Sequence, residues 1–136
     1  MSLFKIFDIA GSALNAQSVR LNVTASNLAN AESVSSNVGD TYRSREPVFQ
    51  TVLNSVNDPA SAGVRVAGIV ESDAPLQRRY EPEHPQADAE GFIFLPNVNT
   101  VEQMANIISA SRSYQNSVEV FNTSKELLLR TLSLGQ

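Results

Sequence analysis

A heptad pattern of mostly apolar positions runs through the C-terminal quarter of the chain. Its members recur at alternating spacings of three and four residues, which places them on one stripe of a long α-helix. The stripe comprises Met104, Ile107, Ser111, Tyr114, Val118, Phe121, Lys125, Leu128 and Leu132. Asn99 is suited to cap the start, Glu102 occupies the capping-box position, and Gly135 stands where a C-terminal breaker belongs. The pattern therefore predicts a helix from Asn99 to about Leu134, roughly 50 Å long.

Residues 3–31 carry a second and weaker heptad pattern. Its large members fall at intervals of seven: Phe7, Leu14, Leu21 and Leu28. The alternate seam positions are mostly small or polar: Leu3, Ala10, Gln17, Thr24 and Ala31. Because one helix cannot bury its own stripe, we expect the two terminal helices to pair as a coiled coil. In that pairing we predict that Leu21 and Leu28 face Val118, Phe121 or Leu128.

Both terminal segments lack the charges that an ordinary solvated helix carries on its outer face. The only charged residue between Ile9 and Ala31 is Arg20, and the only one from Gln103 to Val118 is Arg112. The outer face of the first segment carries small neutral polar residues instead: Ser12, Asn15, Ser18, Asn22, Ser26 and Asn30. We predict that other subunits cover these faces. The alternative is a soluble two-helix hairpin.

The segment between the helices has a different character. Five of the six prolines lie between Pro47 and Pro85 and the sixth is Pro96, which excludes long helices there. Strand-like stretches occur at 47–53, 64–70 and 92–95, with turn signals at 57–59 and 61–63, and residues 74–89 suggest a non-repetitive arm. The sequence predicts an α+β protein with helices in residues 1–34 and 97–136 and an irregular β-rich insert of two to four strands in residues 35–96.

Composition excludes several classes of function. The 136 residues are 42% hydrophobic with no membrane-length apolar run, so the chain is neither wholly disordered nor membrane-spanning. A net charge of −4 and a pI near 4.9 argue against a nucleic-acid or anionic-membrane partner. The absence of cysteine excludes disulfides and thiolate zinc sites. Residues 1–10 do not resemble a secretory signal peptide, so composition alone predicts a cytoplasmic protein.

An acidic cluster around the single histidine is the only candidate for chemistry. It consists of Glu81, Glu83 and His84, and prolines at 82 and 85 lead us to expect an extended backbone that points neighbouring side chains apart. No second histidine completes a metal site, and the chain has no nucleophile elbow, HExxH motif or glycine-rich phosphate loop. The sequence predicts no catalytic residue, no metal site and no cofactor.

Several blocks of sequence are similar to those of bacterial flagellar rod and hook proteins. Residues 6–14 (IFDIAGSAL) and 25–31 (ASNLANA) resemble the N-terminal signature of that axial family. Residues 95–99 (LPNVN), 108–115 (ISASRSYQ) and 118–123 (VEVFNT), together with the short length, resemble its proximal rod members nearly end to end. The stretch at 31–34 departs from the threonine-rich turn of many axial proteins, which affects only the detail of that loop.

The resemblance implies a structural subunit that is exported unfolded through the flagellar type III apparatus without a cleavable signal. Paired terminal helices would line the inner core of a helical tube that crosses the periplasm and transmits torque from motor to hook, with the insert as an outer layer. Implied partners are copies of itself, proximal and distal rod proteins, the protein at the junction of export gate and rod, and the export apparatus. Nucleic acids and small-molecule substrates are not expected.

From the two heptad patterns and the resemblance we predict an assembly interface. It comprises Phe7, Leu14, Leu21, Asn27, Leu28, Asn30, Met104, Ile107, Arg112, Tyr114, Val118, Phe121 and Leu128. Two alternatives belong to other classes: a cytoplasmic coiled-coil adaptor or chaperone-like module, and an enzyme that uses Glu81, Glu83 or His84. The weak N-terminal seam also predicts that both termini are largely disordered in the isolated monomer.

Overall fold

The computed structural model describes residues 3–53 and 62–135. Its elements are α1 (Leu3–Ala29), β1 (Arg45–Leu53), β2 (Ala62–Glu71), β3 (Gln77–Tyr80), β4 (Phe92–Leu95) and α2 (Thr100–Leu134). β1 pairs with β2 and β3 with β4, each pair antiparallel and separate from the other. The predicted α+β fold, with two long terminal helices packed together and a small β-rich insert, is confirmed. The turn expected at 57–59 lies outside the described residues.

Local hydrogen bonds explain where α2 begins and where α1 ends. The Asn99 side chain accepts hydrogen bonds from the backbone N–H groups of Val101 and Glu102, at 3.1 and 3.2 Å, which satisfies two donors at the start of α2. The 35 residues of α2 make a rod of about 52 Å. α1 ends two residues earlier than expected, where the Asn30 side chain donates to the carbonyl of Ser26.

The ribbon of β1 and β2 lies against α1. The Ser12 hydroxyl accepts a hydrogen bond from the Val64 N–H at 3.2 Å and donates one to the carbonyl of Ile9 at 2.8 Å. A Cβ atom at Gly63 would stand 3.2 Å from the Ser12 Oγ, so the close approach depends on the missing side chain. Part of the polar face of α1 is therefore covered by the insert of the same chain, where we had expected only other subunits.

β3 was not predicted, because residues 74–89 were expected to form a non-repetitive arm. Contacts to β4 account for the strand: the Arg78 guanidinium lies 3.6 Å from the centroid of the Phe92 ring, and Tyr80 packs edge to face on the same ring at 5.1 Å. Such tertiary contacts outweigh the weak strand propensity of two adjacent arginines. Gly91 permits the tight turn before β4, since its φ of +84° disfavours any larger residue.

Small side chains dominate the interior between the helices. Ala10, Ala16 and Ala110 are buried there, whereas the largest fully buried side chains of the described chain are Ile93, Asn27 and Pro96. Alanine removes little apolar area from water, so the helix pair gains modest stability from its own seam.

Candidate assembly interface

Three side-chain contacts show that α1 and α2 run antiparallel. The rings of Phe7 and Phe121 meet edge to face with centroids 4.9 Å apart. Farther along α1, the Arg20 guanidinium donates to Asn106 Oδ1 at 2.9 Å. Near its end, the Asn27 amide donates to Gln103 Oε1 at 3.1 Å. The expected pairing of the terminal helices is therefore confirmed, and these contacts define its register.

The partners predicted for Leu21 and Leu28 are wrong. These leucines stand beside Arg20 and Asn27, so they lie level with residues 103–107 of α2. The predicted partners, within residues 118–128, begin some 12 residues beyond Asn106, which is about 18 Å along a helix. The heptad spacing alone is compatible with several registers, and polar contacts near Asn27 select the observed one.

At every second position of the predicted stripe, the residue of α2 that is buried is the one immediately before the predicted residue. The innermost residues of α2 are Gln103, Ala110 and Ser124, with Ser117 half-buried between them. Of the predicted stripe, Ile107, Ser111, Val118, Phe121 and Leu128 are half-buried, while Met104, Tyr114, Lys125 and Leu132 are exposed. Short side chains at the innermost positions let α1 approach closely, and larger neighbours move to the flanks.

The predicted interface residues of α1 are less accessible than those of α2. Four of them are half-buried along the helix: Phe7, Leu14, Leu21 and Leu28. Asn30 is half-buried and holds the end of α1 through the Ser26 carbonyl. On α2, by contrast, Arg112 is exposed together with Met104 and Tyr114. The surface available to a neighbouring subunit therefore belongs mainly to α2.

Asn27 is the most deeply buried polar residue of the described chain, with only 1% of its surface exposed. Its Oδ1 accepts from the Tyr42 hydroxyl at 2.8 Å and from the Arg45 N–H at 2.9 Å. Its Nδ2 donates to the Arg45 carbonyl at 2.8 Å and to Gln103 Oε1. Two donated and two accepted hydrogen bonds fill the capacity of an amide side chain. Asn27 therefore connects α1 with the start of β1 and with α2, all within the same chain.

Asn97 performs a similar role that the sequence analysis missed. Its Oδ1 accepts from the Ser44 N–H at 2.7 Å, and its Nδ2 donates to the carbonyls of Ser72 and Ala74 at 3.1 and 2.8 Å. The Arg43 guanidinium donates to the same two carbonyls. The available signal was an asparagine in a short loop directly before a helix cap, a position from which amides commonly bind backbone groups.

Large apolar side chains remain uncovered on α2. They are Val101, Met104, Ile108, Tyr114, Val120, Leu127, Leu129, Leu132 and Leu134, with exposed fractions from 37% for Tyr114 to 87% for Leu134. Because Phe7 meets Phe121, the first described residue of α1 reaches about residue 125 of α2, and the leucine-rich end extends roughly 14 Å beyond it. Nine exposed large apolar side chains on one helix favour a surface that another protein covers.

The histidine cluster forms a tight turn, which corrects the extended backbone that we expected. The His84 N–H donates to the Glu81 carbonyl at 3.0 Å, and the His84 imidazole accepts from the Gln86 N–H at 3.0 Å. Glu81 forms an ion pair with Arg79. Within residues 3–53 and 62–135, no group of three or more acidic or histidine side chains could hold a metal ion.

Helices with long charge-poor stretches, a small insert and exposed apolar side chains along α2 are the features of a structural subunit built for assembly. None of the helices in the described part of the chain is long and apolar enough to cross a membrane. Residues 7–38 match the family described as flagella basal body rod protein, and residues 89–134 match the C-terminal region of the flagellar basal body rod FlgEFG proteins.

Relatives that align over their full length identify the family within this class of structural subunits. The chain is 56% identical to flagellar basal-body rod protein FlgC of Escherichia coli O157:H7 and 54% identical to that of Salmonella typhimurium, in each case over 136 residues that cover both chains completely. A more distant FlgC, from Buchnera aphidicola of Schizaphis graminum, is 42% identical over 138 aligned residues. The chain belongs to the FlgC family of flagellar basal-body rod proteins. It is therefore a structural component of the basal body and not an enzyme.

Proposed function

We propose that the chain is a subunit of the proximal rod whose terminal helices assemble into the helical axial tube that transmits torque from motor to hook. The observation that carries the proposal is the set of nine exposed large apolar side chains distributed along α2 between Val101 and Leu134. Contacts between unlike surfaces of identical or similar subunits generate open helical arrays, which is the geometry that a rod requires.

Residues 1–34 and 97–136 would form the inner core of that tube, and residues 35–96 its outer layer. The distribution of charge supports this division. Exposed ion pairs join Arg45 to Glu71 and Arg78 to Glu90 in the insert, where contact with water suits them. Long stretches of both helices, by contrast, carry a single arginine each.

The predicted assembly residues would contribute in two ways. Met104, Arg112 and Tyr114 are exposed and would contact neighbouring subunits directly. Asn27 is buried and would act by holding the helix pair in the shape that neighbours recognise. The half-buried seam residues would do both, since their outer edges remain accessible between the helices.

Assembly of this kind requires passage out of the cell. The subunit would travel unfolded through the flagellar type III apparatus without a cleavable signal and join the rod across the periplasm. A chain without cysteine suits that route, since no disulfide has to form on the way. Its partners there would be further copies of itself, other proximal and distal rod subunits, and the protein at the junction with the export gate.

Complementation tests the proposal. A tagged chain is produced in a strain that lacks its own proximal rod subunit of this family, and swimming and the tagged protein in detergent-extracted basal bodies are both measured. We expect the chain to restore both and Met104→Asp to restore neither, whereas Ala67→Asp, a matched change on the exposed surface of the insert, should behave like the parent. A chain that restores swimming but stays in the cytoplasm would instead favour the adaptor alternative.

A further inference from the structure

Side chains of α1 hydrogen-bond to the ribbon of β1 and β2 at two points, one near each end of the ribbon. At the near end, the Asn27 amide accepts from the Arg45 N–H at 2.9 Å and donates to the Arg45 carbonyl at 2.8 Å. At the far end, where Val64 pairs with Thr51, the Ser12 hydroxyl accepts from the Val64 N–H at 3.2 Å. These backbone groups belong to the outer edges of the two strands, so α1 caps one strand edge at each end of the ribbon.

Between these two points the ribbon packs loosely on α1. A cavity of about 430 Å³ is lined by Val23 and Ser26 of α1 and by Ile69 of β2. Ile69 and Val70 are each 51% exposed. The ribbon gains little from apolar contact with α1 in this region, and its position over the helix therefore depends on the hydrogen bonds at its two ends.

The spacing of the two points matches only when α1 is helical. Ser12 and Asn27 are 15 residues apart, which is about 22 Å along a helix and only about 60° around it. On the ribbon, Arg45 and Thr51 are six residues apart, which is about 20 Å along a strand. An extended chain of 15 residues spans up to about 50 Å and does not hold Ser12 against the far end of the ribbon.

We propose that the ribbon is a strap that closes over α1 when α1 becomes helical in the rod. Gly63 admits the closing contact, because a Cβ atom at this position would already stand 3.2 Å from Ser12 Oγ. Closure covers part of the polar face of α1 with the insert of the same chain and fixes the direction of the insert along the helix. The inference rests on the proposed function, since neighbours in the rod supply the burial that makes α1 helical.

Disulfide formation measures closure, because the natural chain contains no cysteine. A Cβ atom at Gly63 would lie 3.7 Å from Ser12 Cβ, which is within the range of about 3.5–4.5 Å that disulfides require. The test chain carries Ser12→Cys with Gly63→Cys. The control chain carries Ser12→Cys with Gly68→Cys, five residues and about 16 Å farther along β2.

Both chains are oxidised briefly, in extracted basal bodies and as dilute purified monomer, and the disulfide within the chain is measured by its faster migration in a non-reducing gel. In basal bodies the test chain should form it at least about tenfold faster than the control chain, since only the test pair is held within bonding distance. In the monomer the two rates should agree within about twofold, because the two loops are nearly equal in length and closure depends weakly on length.

Two outcomes of this experiment would overturn the inference. A test chain that is favoured as strongly in the monomer as in basal bodies would mean that the strap closes without the rod. A test chain that is no faster than the control in basal bodies would mean that the strap is open there. In both cases the presence of the chains in basal bodies leaves the proposed function standing.

Two valine variants test the close approach without cysteine. Gly63→Val places a branched side chain against Ser12, whereas a Cβ atom at Gly68 has no heavy atom of the described chain within 4 Å, apart from its immediate neighbours in sequence. Both changes raise strand propensity, so the contact with Ser12 is the difference between them. We expect Gly63→Val to lower the amount of tagged chain in basal bodies roughly fivefold or more and Gly68→Val to match the parent. Equal amounts of the two variants would overturn the inference, and absence of the parent chain itself would refute the proposed function as well.

Discussion

The rings of Phe7 and Phe121 pack edge to face with their planes 78° apart, which ties the start of α1 to the second half of α2. Elsewhere the seam consists mainly of small residues such as Ala16 and Ala110. Large apolar contacts between the helices are therefore sparse. The register depends on this aromatic pair at one end of α1 and on the amide of Asn27 at the other.

The first prediction concerns the four hydrogen bonds of the buried Asn27 side chain. Asn27→Ala would leave the Arg45 N–H and Gln103 Oε1 without this partner, and the Tyr42 hydroxyl would keep only its 3.3 Å hydrogen bond with Ser26 Oγ. Each buried group left unsatisfied costs about 1–3 kcal/mol. We expect the variant to be absent from extracted basal bodies and the cells not to swim. Asn15→Ala, on an exposed face of the same helix, should assemble normally. Normal incorporation of Asn27→Ala would show that the amide is dispensable.

A charge in the seam gives the second prediction. Leu21 is half-buried beside Arg20 and level with Asn106, so Leu21→Asp would place a carboxylate in a poorly solvated seam at a cost of several kcal/mol. Motility should be lost, whereas Leu21→Met should preserve it because it keeps apolar volume. Swimming plates and the amount of each variant in basal bodies provide the measurement. A Leu21→Asp strain that swims normally would contradict the packing.

Local signals in the sequence were sufficient for the helices and for three of the four strands. Asn99 as a cap and the concentration of prolines between residues 47 and 96 predict where long helices are possible, because both effects act within a few residues. β3 escaped prediction because its stability comes from Phe92, which lies beyond the turn that follows it. Local propensity contains no information about that partner.

The candidate site was harder to predict for the same reason. Heptad spacing indicated that Phe121 and Leu128 turn towards the other helix, but not which residue of α1 each would meet. The register depends on contacts between distant segments, such as Asn27 with Gln103 and Asn97 with Ser44. Asn27 lies in the signature motif of residues 25–31, and that position suggested an interface with other subunits. Its four hydrogen bonds are instead made within the chain.

The third prediction concerns the histidine cluster. His84→Ala, alone or combined with Glu81→Ala and Glu83→Ala, should leave swimming and rod assembly intact. The His84 imidazole serves only a local turn through the Gln86 N–H, and the ion pair of Glu81 is exposed and contributes little. Swimming plates and basal-body yield measure the outcome. Loss of assembly by a variant that is still exported would reveal a site in this loop.

The fourth prediction uses a polar group that the seam leaves unsatisfied. Gln17 Oε1 is buried and has no hydrogen-bond partner among the described residues. Gln17→Leu should therefore stabilise the helix pair by about 1–3 kcal/mol and raise the helix content of the purified chain in circular dichroism. Asn15→Leu, which adds an apolar side chain on the exposed side of α1, serves as the control and should change little. Equal spectra for Gln17→Leu and the parent would argue against the buried amide as a source of instability.

The last prediction concerns when the helices form. Ordering each residue costs roughly 1–2 kcal/mol of backbone entropy, and α1 and α2 contain 27 and 35 residues. Ala10, Ala16 and Ala110 bury little apolar area to offset that cost, and the leucines at the end of α2 gain burial only from a neighbour. We expect both termini to be largely disordered in dilute monomer and to fold on joining the rod, which would also leave the chain unfolded for export.

Circular dichroism and limited proteolysis of dilute purified protein measure that state. Disorder predicts low helix content and rapid trimming of residues 1–31 and 99–136, which leaves a fragment near 40–98. The fragment should persist because Asn97 accepts a hydrogen bond from the Ser44 N–H and donates to the carbonyls of Ser72 and Ala74, and these bonds close the insert without help from either helix. The same experiment on protein held in basal bodies should show both termini protected, since neighbours then bury them. A protease-resistant monomer with about half of its residues helical would refute assembly-coupled folding and would mean that the thin seam is stable by itself.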